Sequence, residues 1–583
     1  MKTGQKKNKI IAFLFSAVLC VVIGIFFDYY YDLNDDVLMK DILAGVYTGV
    51  PEGHNIQMLY PISLFLSLFY RILRTVPWYG IFLCLCQFGS IFLITERLLT
   101  FAENRIKKAA LLLLEAGMIT ALILKELVFV QYTVTCTLLA AAAAFRFFTQ
   151  ETVASPKKFF QDNILNIVLV VLAFQIRSEM LLLVFPLICV AGLCKWAAEK
   201  PVFTKENAAK YFSVFGVMLA GIIASQGIDM VAYGGTQWRQ FTDFFDNRTE
   251  VYDFLGIPPY EGNVAFYESI GLSESEQVLL ENYNFGLDEE IDHVLLGKIS
   301  EYADELRTAN TTFKDTLKKA VINYKYRTFH ETDYPWNLLV ITGYVLVLLA
   351  ALWNRHFRFL WELPCLGVVR TGLWMYILYR GRDPERITHS LYLMEFLILM
   401  GMLLWECKST EKMPKLFKTG IFLILFVEVL LPIGSGVSKV RTEFDRREAV
   451  NEKMAAFREY AGEREENFYF LDVYSTVAYS EKLFVSVDNR LDNYDIMGGW
   501  ASKSPLMVKK YAAFGIQDME TALTENNGVF VVASAGVKEG YLNIQEWLPA
   551  YYAGHGMSVT LKKEDTIYMG EEAVFVVYRV SVN

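Results

Sequence analysis

Long apolar runs separated by short polar links set the layout of this chain. Runs near 10–27, 79–99, 109–127, 131–148, 163–177, 180–195, 211–228, 337–353, 359–379, 389–406 and 418–434 carry few charges. About 20 apolar residues in a helix cross a hydrocarbon core, so the pattern predicts a multi-pass α-helical membrane protein with about eleven spans. Three polar stretches interrupt or follow them, at 28–78, 229–336 and 436–583. Basic residues gather in alternate links: Arg97, Arg105, Lys107 and Lys108; Arg146, Lys157 and Lys158; Lys195, Lys200, Lys205 and Lys210; Arg355 and Arg358; Lys408, Lys412, Lys415 and Lys418. Lys and Arg mark cytoplasmic loops, so the amino terminus is expected inside and the carboxyl terminus outside. The basic start, 1–9, followed by the run 10–27, reads as an uncleaved anchor, because no small-x-small cleavage site precedes the polar stretch.

The run Met58–Leu73 is shorter. Pro61 and the basic Arg71 and Arg74 favour a helix lying at the membrane interface rather than a span. Within 229–336, Gly234, Gly235, Pro258, Pro259 and Gly262 mark turns, and Ser273 with Glu276 forms a capping box. Helices are expected there from Ser273 to about Tyr283, over 288–308 and over 312–326. The stretch is rich in aromatic and acidic side chains, which suit either a packed lid or sugar contacts. Asn247 and Asn310 open glycosylation sequons. In 436–583 the pattern becomes that of a small α/β domain, with a charged helix over 437–461 and strands near 467–473, 528–533, 557–561 and 573–579. The division is therefore a membrane domain, 1–435, and an extracytoplasmic soluble domain, 436–583.

Composition narrows the class. The chain is 54% hydrophobic, with mean hydropathy +0.30, too apolar for an ordinary soluble protein of 583 residues. A net charge of −9 offers no general nucleic-acid footprint. The eight cysteines fall in or beside spans and their inner links, which leaves the external parts without a disulfide framework and reads as packing.

Candidate chemistry concentrates in 28–78. Asp32, Asp35, Asp36 and Asp41 follow the first span directly, and Asn34, Asp35 and Asp36 open a helix-like segment. Carboxylates at a membrane boundary need water, a partner or a substrate. His54 to Pro61 then leads into the interfacial run. A second feature joins the fifth and sixth spans, where Arg177, Glu179 and Pro186 follow an apolar run. Arg177 at that depth needs an anion, either Glu179 or a lipid phosphate. Lys125 and Glu126 lie at the outer end of the third span and read as a mutual pair. The loop Leu378–His389 holds Arg380, Arg382 and Arg386 against Asp383 and Glu385. It breaks the charge trend of external loops, and arginine forks bind phosphate.

The acidic pair after span one, the His54-to-Pro61 segment and the Arg177 hairpin resemble the GT-C superfamily of polytopic glycosyltransferases, which includes protein mannosyltransferases and bacterial aminoarabinose transferases. Pro61 alone stands where that family has paired prolines. The resemblance implies a GT-C-like fold and an inverting transfer of a sugar from a polyprenyl-phosphate donor at the extracytoplasmic face of a bacterial plasma membrane. Asp35 would be the general base, and Asp36 would orient the acceptor or hold a divalent metal. Asp32, His54, Arg177, Glu179, Arg382, Arg386 and His389 would line the substrate site. The partners implied are the lipid-linked donor, membrane lipids and a glycan, lipid or protein acceptor. No other cofactor is implied, and no Gly-rich nucleotide motif appears. A transporter or flippase of lipid-linked saccharides, or a ligase, would use the same acids and arginines.

Overall fold

In a computed structural model, residues 2–409, 413–487, 490–536 and 542–583 are described. Lys412, one of the basic link residues, lies outside them. Nine helices among the described residues are long and apolar enough to cross a membrane. They belong to a bundle whose chain order is α1 (Lys2–Phe26), the short α2 (Asn34–Ala44) and α3 (Tyr60–Ile72), α4 (Trp78–Leu99), α5 (Arg105–Met118) and α6 (Leu124–Val128), α7 (Tyr132–Thr149), α8 (Pro156–Ile176), α9 (Ser178–Ala197) and α10 (Lys205–Ala232). Five lid helices follow, α11 (Thr236–Glu250), α12 (Val264–Ile270), α13 (Glu274–Glu281), α14 (His293–Asn310) and α15 (Phe313–Phe329). The bundle resumes with α16 (Trp336–Asn354), α17 (Phe359–Arg380), α18 (Glu385–Ser409) and α19 (Lys415–Gly462).

Two of the eleven expected spans are not among the nine. One is α5 with α6, where a π turn at Ile119–Ile123 joins the two segments and Glu115, Lys125 and Glu126 add charge. The other is α17, which carries Glu362, Arg370 and Arg380. Arg370 donates from Nε to Glu395 of α18 at 2.9 Å, with both side chains buried. That pairing lets α17 pack as a helix despite its charge, since a buried charge is tolerated when it is paired. The 13-residue α3 is about 20 Å long at 1.5 Å per residue, short of a hydrocarbon core.

At the bundle centre, α7 packs on α4, α8, α9 and α18. Its Ala140–Ala144 run is fully buried, and side chains that small let neighbouring backbones approach. By contrast, α1 leaves Phe13, Leu14, Val18, Val21, Ile25 and Phe26 exposed, a continuous apolar face of the kind that meets lipid or another apolar surface.

One end of the bundle is covered, and the cover is built from two parts of the sequence. The carboxyl-terminal sheet has the order β4 (Tyr494–Ile496), β3 (Phe468–Leu471), β5 (Val529–Ser534), β7 (Glu572–Val582), β6 (Val559–Met569). The first three strands are parallel and the last two antiparallel. The three-residue β4 was too short to show an alternating pattern. Helices α20 (Val473–Thr476), α21 (Pro505–Ala513), α22 (Met519–Glu525) and α23 (Ile544–Gly554) complete the domain. Its core is continuous with the lid: Phe244, Leu280, Phe285 and Ile299 pack in one cluster with Phe470, Val531 and Trp547. The span expected at 418–434 and the helix expected at 437–461 are one helix, α19, of 48 residues. It runs about 72 Å from the bundle into the sheet domain.

The joint between lid and sheet domain depends on close backbone approach. Gly286 N–H donates to the Met497 carbonyl at 2.8 Å. A Cβ on Gly498 would sit 1.7 Å from the Tyr283 carbonyl oxygen. Gly498→Ala is therefore expected to destabilise the lid joint by about 1–3 kcal/mol, the usual range for overpacking. Thermal unfolding and limited proteolysis of the 260–290 segment would check this. Unchanged cleavage would mean that the joint opens without cost.

Candidate active site

Residues 28–32 leave α1 and are held as a strand. Tyr30–Tyr31 (β1) pairs in parallel with Phe129–Val130 (β2), and Asp32 N–H donates to the Val130 carbonyl at 2.9 Å. This brace delivers the start of α2 to the underside of the lid. Asp35 and Asp36 occupy the first turn of α2, where acids are favoured by the helix dipole.

The three acids have different surroundings. Asp32 accepts from Arg447 of α19 at 2.8 Å, and the guanidinium lies 4.2 Å from the Phe129 ring centroid. Burial raises the Asp32 carboxyl and Arg447 opposes that rise. Asp36 is fully buried. The Tyr79 hydroxyl donates to its Oδ1 at 2.9 Å, Tyr31 stacks on Tyr79, and Oδ2 has no hydrogen-bond partner. Burial pushes Asp36 well above the usual carboxylate range, opposed by the Tyr79 hydrogen bond and reinforced by Asp35 and Asp32. Asp35 is half-buried and accepts the Trp500 indole N–H on Oδ1 at 3.0 Å. Asp35 is thus the acid with access, and Asp36 sits enclosed beside it.

Four arginines face this turn or one another. Arg177, at the break between α8 and α9, donates to Gln57 at 2.7 Å and contacts Glu179 at 3.1 Å. Its guanidinium lies over Tyr132, whose hydroxyl also reaches Gln57. It is close enough to Asp35 for the two charges to interact. Arg248 of α11 donates to the Tyr283 hydroxyl, and its Nε is buried without a partner. Arg382 pairs with Asp253. Burial, then Arg386, Arg177 and Arg248, pull Arg382 down to about 10, with Tyr132 acting the other way. Arg386 is half-buried, and its side chain makes no hydrogen bond or ion pair among the described residues. Its charge acts on Asp32, Tyr132 and Arg382. The acids of its own loop are engaged elsewhere: Asp383 binds Arg327 and Glu385 binds Lys125, both at 2.7 Å. Arg380 pairs with Glu250.

The remaining candidates stand apart. Lys125 does not neutralise Glu126; Glu126 meets His389 at 2.9 Å instead. His54 is caged by Tyr60, Tyr233 and Trp238. Its ring nitrogens meet Glu52 at 2.9 Å and the Ala232 carbonyl at 3.3 Å, so it clips the first loop to the start of the lid. Among the described residues, no hydrogen bond or ion pair joins it to Asp35 or Asp36. Sequence reasoning missed Trp500, Arg447, Arg248 and Gln57. Nothing in the local pattern flags them, because each acts across the tertiary fold.

A buried charge cluster seats the sheet domain on α2. Lys40 lies against Asp41 at 2.9 Å and contacts Glu481, which also meets Arg458 of α19. Backbone bonds run alongside, from Tyr31 N–H to the Glu481 carbonyl at 2.8 Å and from Asp492 N–H to the Val46 carbonyl at 3.0 Å.

No known family model, curated protein or solved structure matches this chain.

The cluster gives docking a defined pH response. Burial opposes ionisation of Glu481, but Arg458 and Lys40 outweigh it and hold Glu481 down at about 2. Its stabilisation is complete above the ordinary carboxylate value and is lost as pH falls toward 2. Burial and Asp41 push Asp492 up to about 7, against Lys510, Arg458 and Lys40. The folded state then holds that proton more tightly than the unfolded chain, so this contribution is full below about pH 4 and is lost as pH rises toward 7. The thermal midpoint is expected to fall between pH 5 and 8, and Asp492→Asn should flatten that slope while keeping the loss below pH 4. An unchanged alkaline slope in the variant would assign it to another group.

Proposed function

We propose that this chain is a membrane glycosyltransferase of the GT-C type, moving a sugar from a polyprenyl-phosphate donor to an acceptor hydroxyl with inversion at the extracytoplasmic face. The observation that carries the reading is an accessible carboxylate, Asp35, interacting with Arg177, which belongs to a cationic group that includes Arg382 and Arg386, the last with no side-chain ion pair among the described residues. A transfer of this kind needs a base at one end of the reacting line and positive charge at the other.

In this mechanism Asp35 takes the acceptor proton as the acceptor oxygen bonds to the anomeric carbon. The bond from that carbon to the phosphate oxygen breaks, and polyprenyl phosphate leaves with the electron pair. Arg386, with Arg177 and Arg382 beside it, receives the growing phosphate charge. The Trp500 indole holds Asp35 in orientation. Asp36 remains enclosed beneath and positions the turn through Tyr79. No third His, Cys, Asp or Glu joins Asp35 and Asp36 as a metal-ligand group among the described residues. A mostly apolar cavity of about 960 Å³ between α4, α5, α7, α18 and α19 runs from the inner-link residues Lys107, Lys408 and Lys415 to Trp336 and does not reach the acid turn. Trp336 lines it and lies 6.0 Å from His389, ring to ring.

With a panel of polyprenyl-phosphate sugars, Asp35→Asn is expected to slow transfer at least about 100-fold and to keep donor binding. Arg386→Gln should weaken donor binding about tenfold or more. Normal turnover in Asp35→Asn, or no lipid-linked donor bound by the wild type, would overturn the reading and turn attention to transport.

A further inference from the structure

Away from the acid turn, lid and sheet domain meet at a second cluster. Glu276 of α13, Asp288 of the following loop and His555, just after α23, offer one ligand atom each, all within 4.8 Å of one another. Glu276 and Asp288 are 4% and 2% exposed. Their spare atoms are the decisive detail. Glu276 Oε2 accepts from the Ser273 N–H in the capping box, which leaves Oε1 facing His555 Nε2 at 3.6 Å. Asp288 Oδ1 accepts from the Glu290 N–H, and Oδ2 is buried with no hydrogen-bond partner. His555 Nδ1 lies 3.1 Å from the Tyr551 carbonyl. A carbonyl only accepts, so Nδ1 carries a proton there and Nε2 is the ring position left to face the carboxylates. Two buried carboxylates and an imidazole converge on one point, where either a proton or a metal ion stands between them.

We propose that Glu276, Asp288 and His555 bind a divalent transition metal, with zinc the best match, and so fasten the lid to the sheet domain. The donor set is one imidazole nitrogen and two carboxylate oxygens, which zinc accepts, whereas calcium and magnesium favour all-oxygen sets. Ligands about 2.0–2.1 Å from a tetrahedral zinc stand roughly 3.3 Å apart, so the observed 3.6 Å pair needs little movement. The Nδ1 bond to a backbone carbonyl is the kind of support that fixes the tautomer of a metal-binding histidine. Glu520 of α22 acts electrostatically on both Asp288 and His555 and adds negative charge nearby. Lys503, bonded to the Asp288 carbonyl, is the opposing cation. The close pass of α23 over α13, where a Cβ on Gly554 would meet Ser275 Oγ at 2.9 Å, holds the two sides together. This proposal is independent of the transferase reading.

The alternative occupant is a proton shared among the three groups, and the experiment separates the two. The full chain, purified in detergent and stripped with a chelator, is titrated with zinc chloride. One equivalent bound, with a raised thermal midpoint, is the expected result. Asp288→Asn and His555→Gln are each expected to weaken binding at least about tenfold. Cobalt loading of the wild type adds a readout that needs no variant: nitrogen and oxygen ligation gives weak visible bands without the intense thiolate band that a cysteine site would add. No zinc bound at excess metal, zinc held equally by both variants, or a thiolate band would each overturn the proposal.

Discussion

The structure depends on one buried set of charges, Lys40 and Asp41 on α2, Glu481 of the sheet domain and Arg458 on α19. Two cations and two anions are removed together from water. Such a set need not stabilise more than apolar packing would, but removing one member leaves an unpaired buried charge and costs about 3–5 kcal/mol. Its value is positional. It lets only one seating of the sheet domain on the bundle satisfy every charge, and the backbone bonds from Tyr31 to Glu481 and from Asp492 to Val46 follow from that seating. Asp35 lies five residues before Lys40 on the same helix, so the register of the acid turn is set by a salt cluster rather than by the membrane helices.

The lid adds a second constraint. Residues 229–336 and the carboxyl-terminal domain bury their apolar side chains in a single cluster. Helices α11 to α14 contribute to that cluster, whereas Ala320 and Tyr324 of α15 pack with the bundle core. Continuity of α19 from bundle to sheet gives the pair a stiff support, and Arg447 on that same helix reaches back to Asp32.

Much of this was legible in sequence, for a physical reason. Apolar runs of span length, the capping box at Ser273 and Glu276, and the strands near 468, 529, 559 and 573 all express local periodicity or local hydrogen bonding. The acidic turn was legible because three carboxylates beside a membrane run are improbable without a partner. What stayed hidden depends on distance in the chain. Nothing local to α17 shows that its Arg370 is neutralised, because the partner, Glu395, lies on α18. Lys125 and Glu126 looked like a pair because they are adjacent, yet neighbouring side chains on a helix do not face one another, and each found a partner on α18. Trp500 and Arg447 gave no local signal, and Arg386 stands out only once its loop acids are seen to be taken.

The bond from Trp500 to Asp35 spans 465 positions. A ribosome finishing this chain has already released every apolar helix before Trp500 emerges. The acid turn therefore spends most of synthesis without its indole donor and without the Glu481 anchor. Assembly of the bundle and completion of the acid site are separate events in time, and a chain cut short after α19 would have its spans in place and its Asp35 carboxylate unheld.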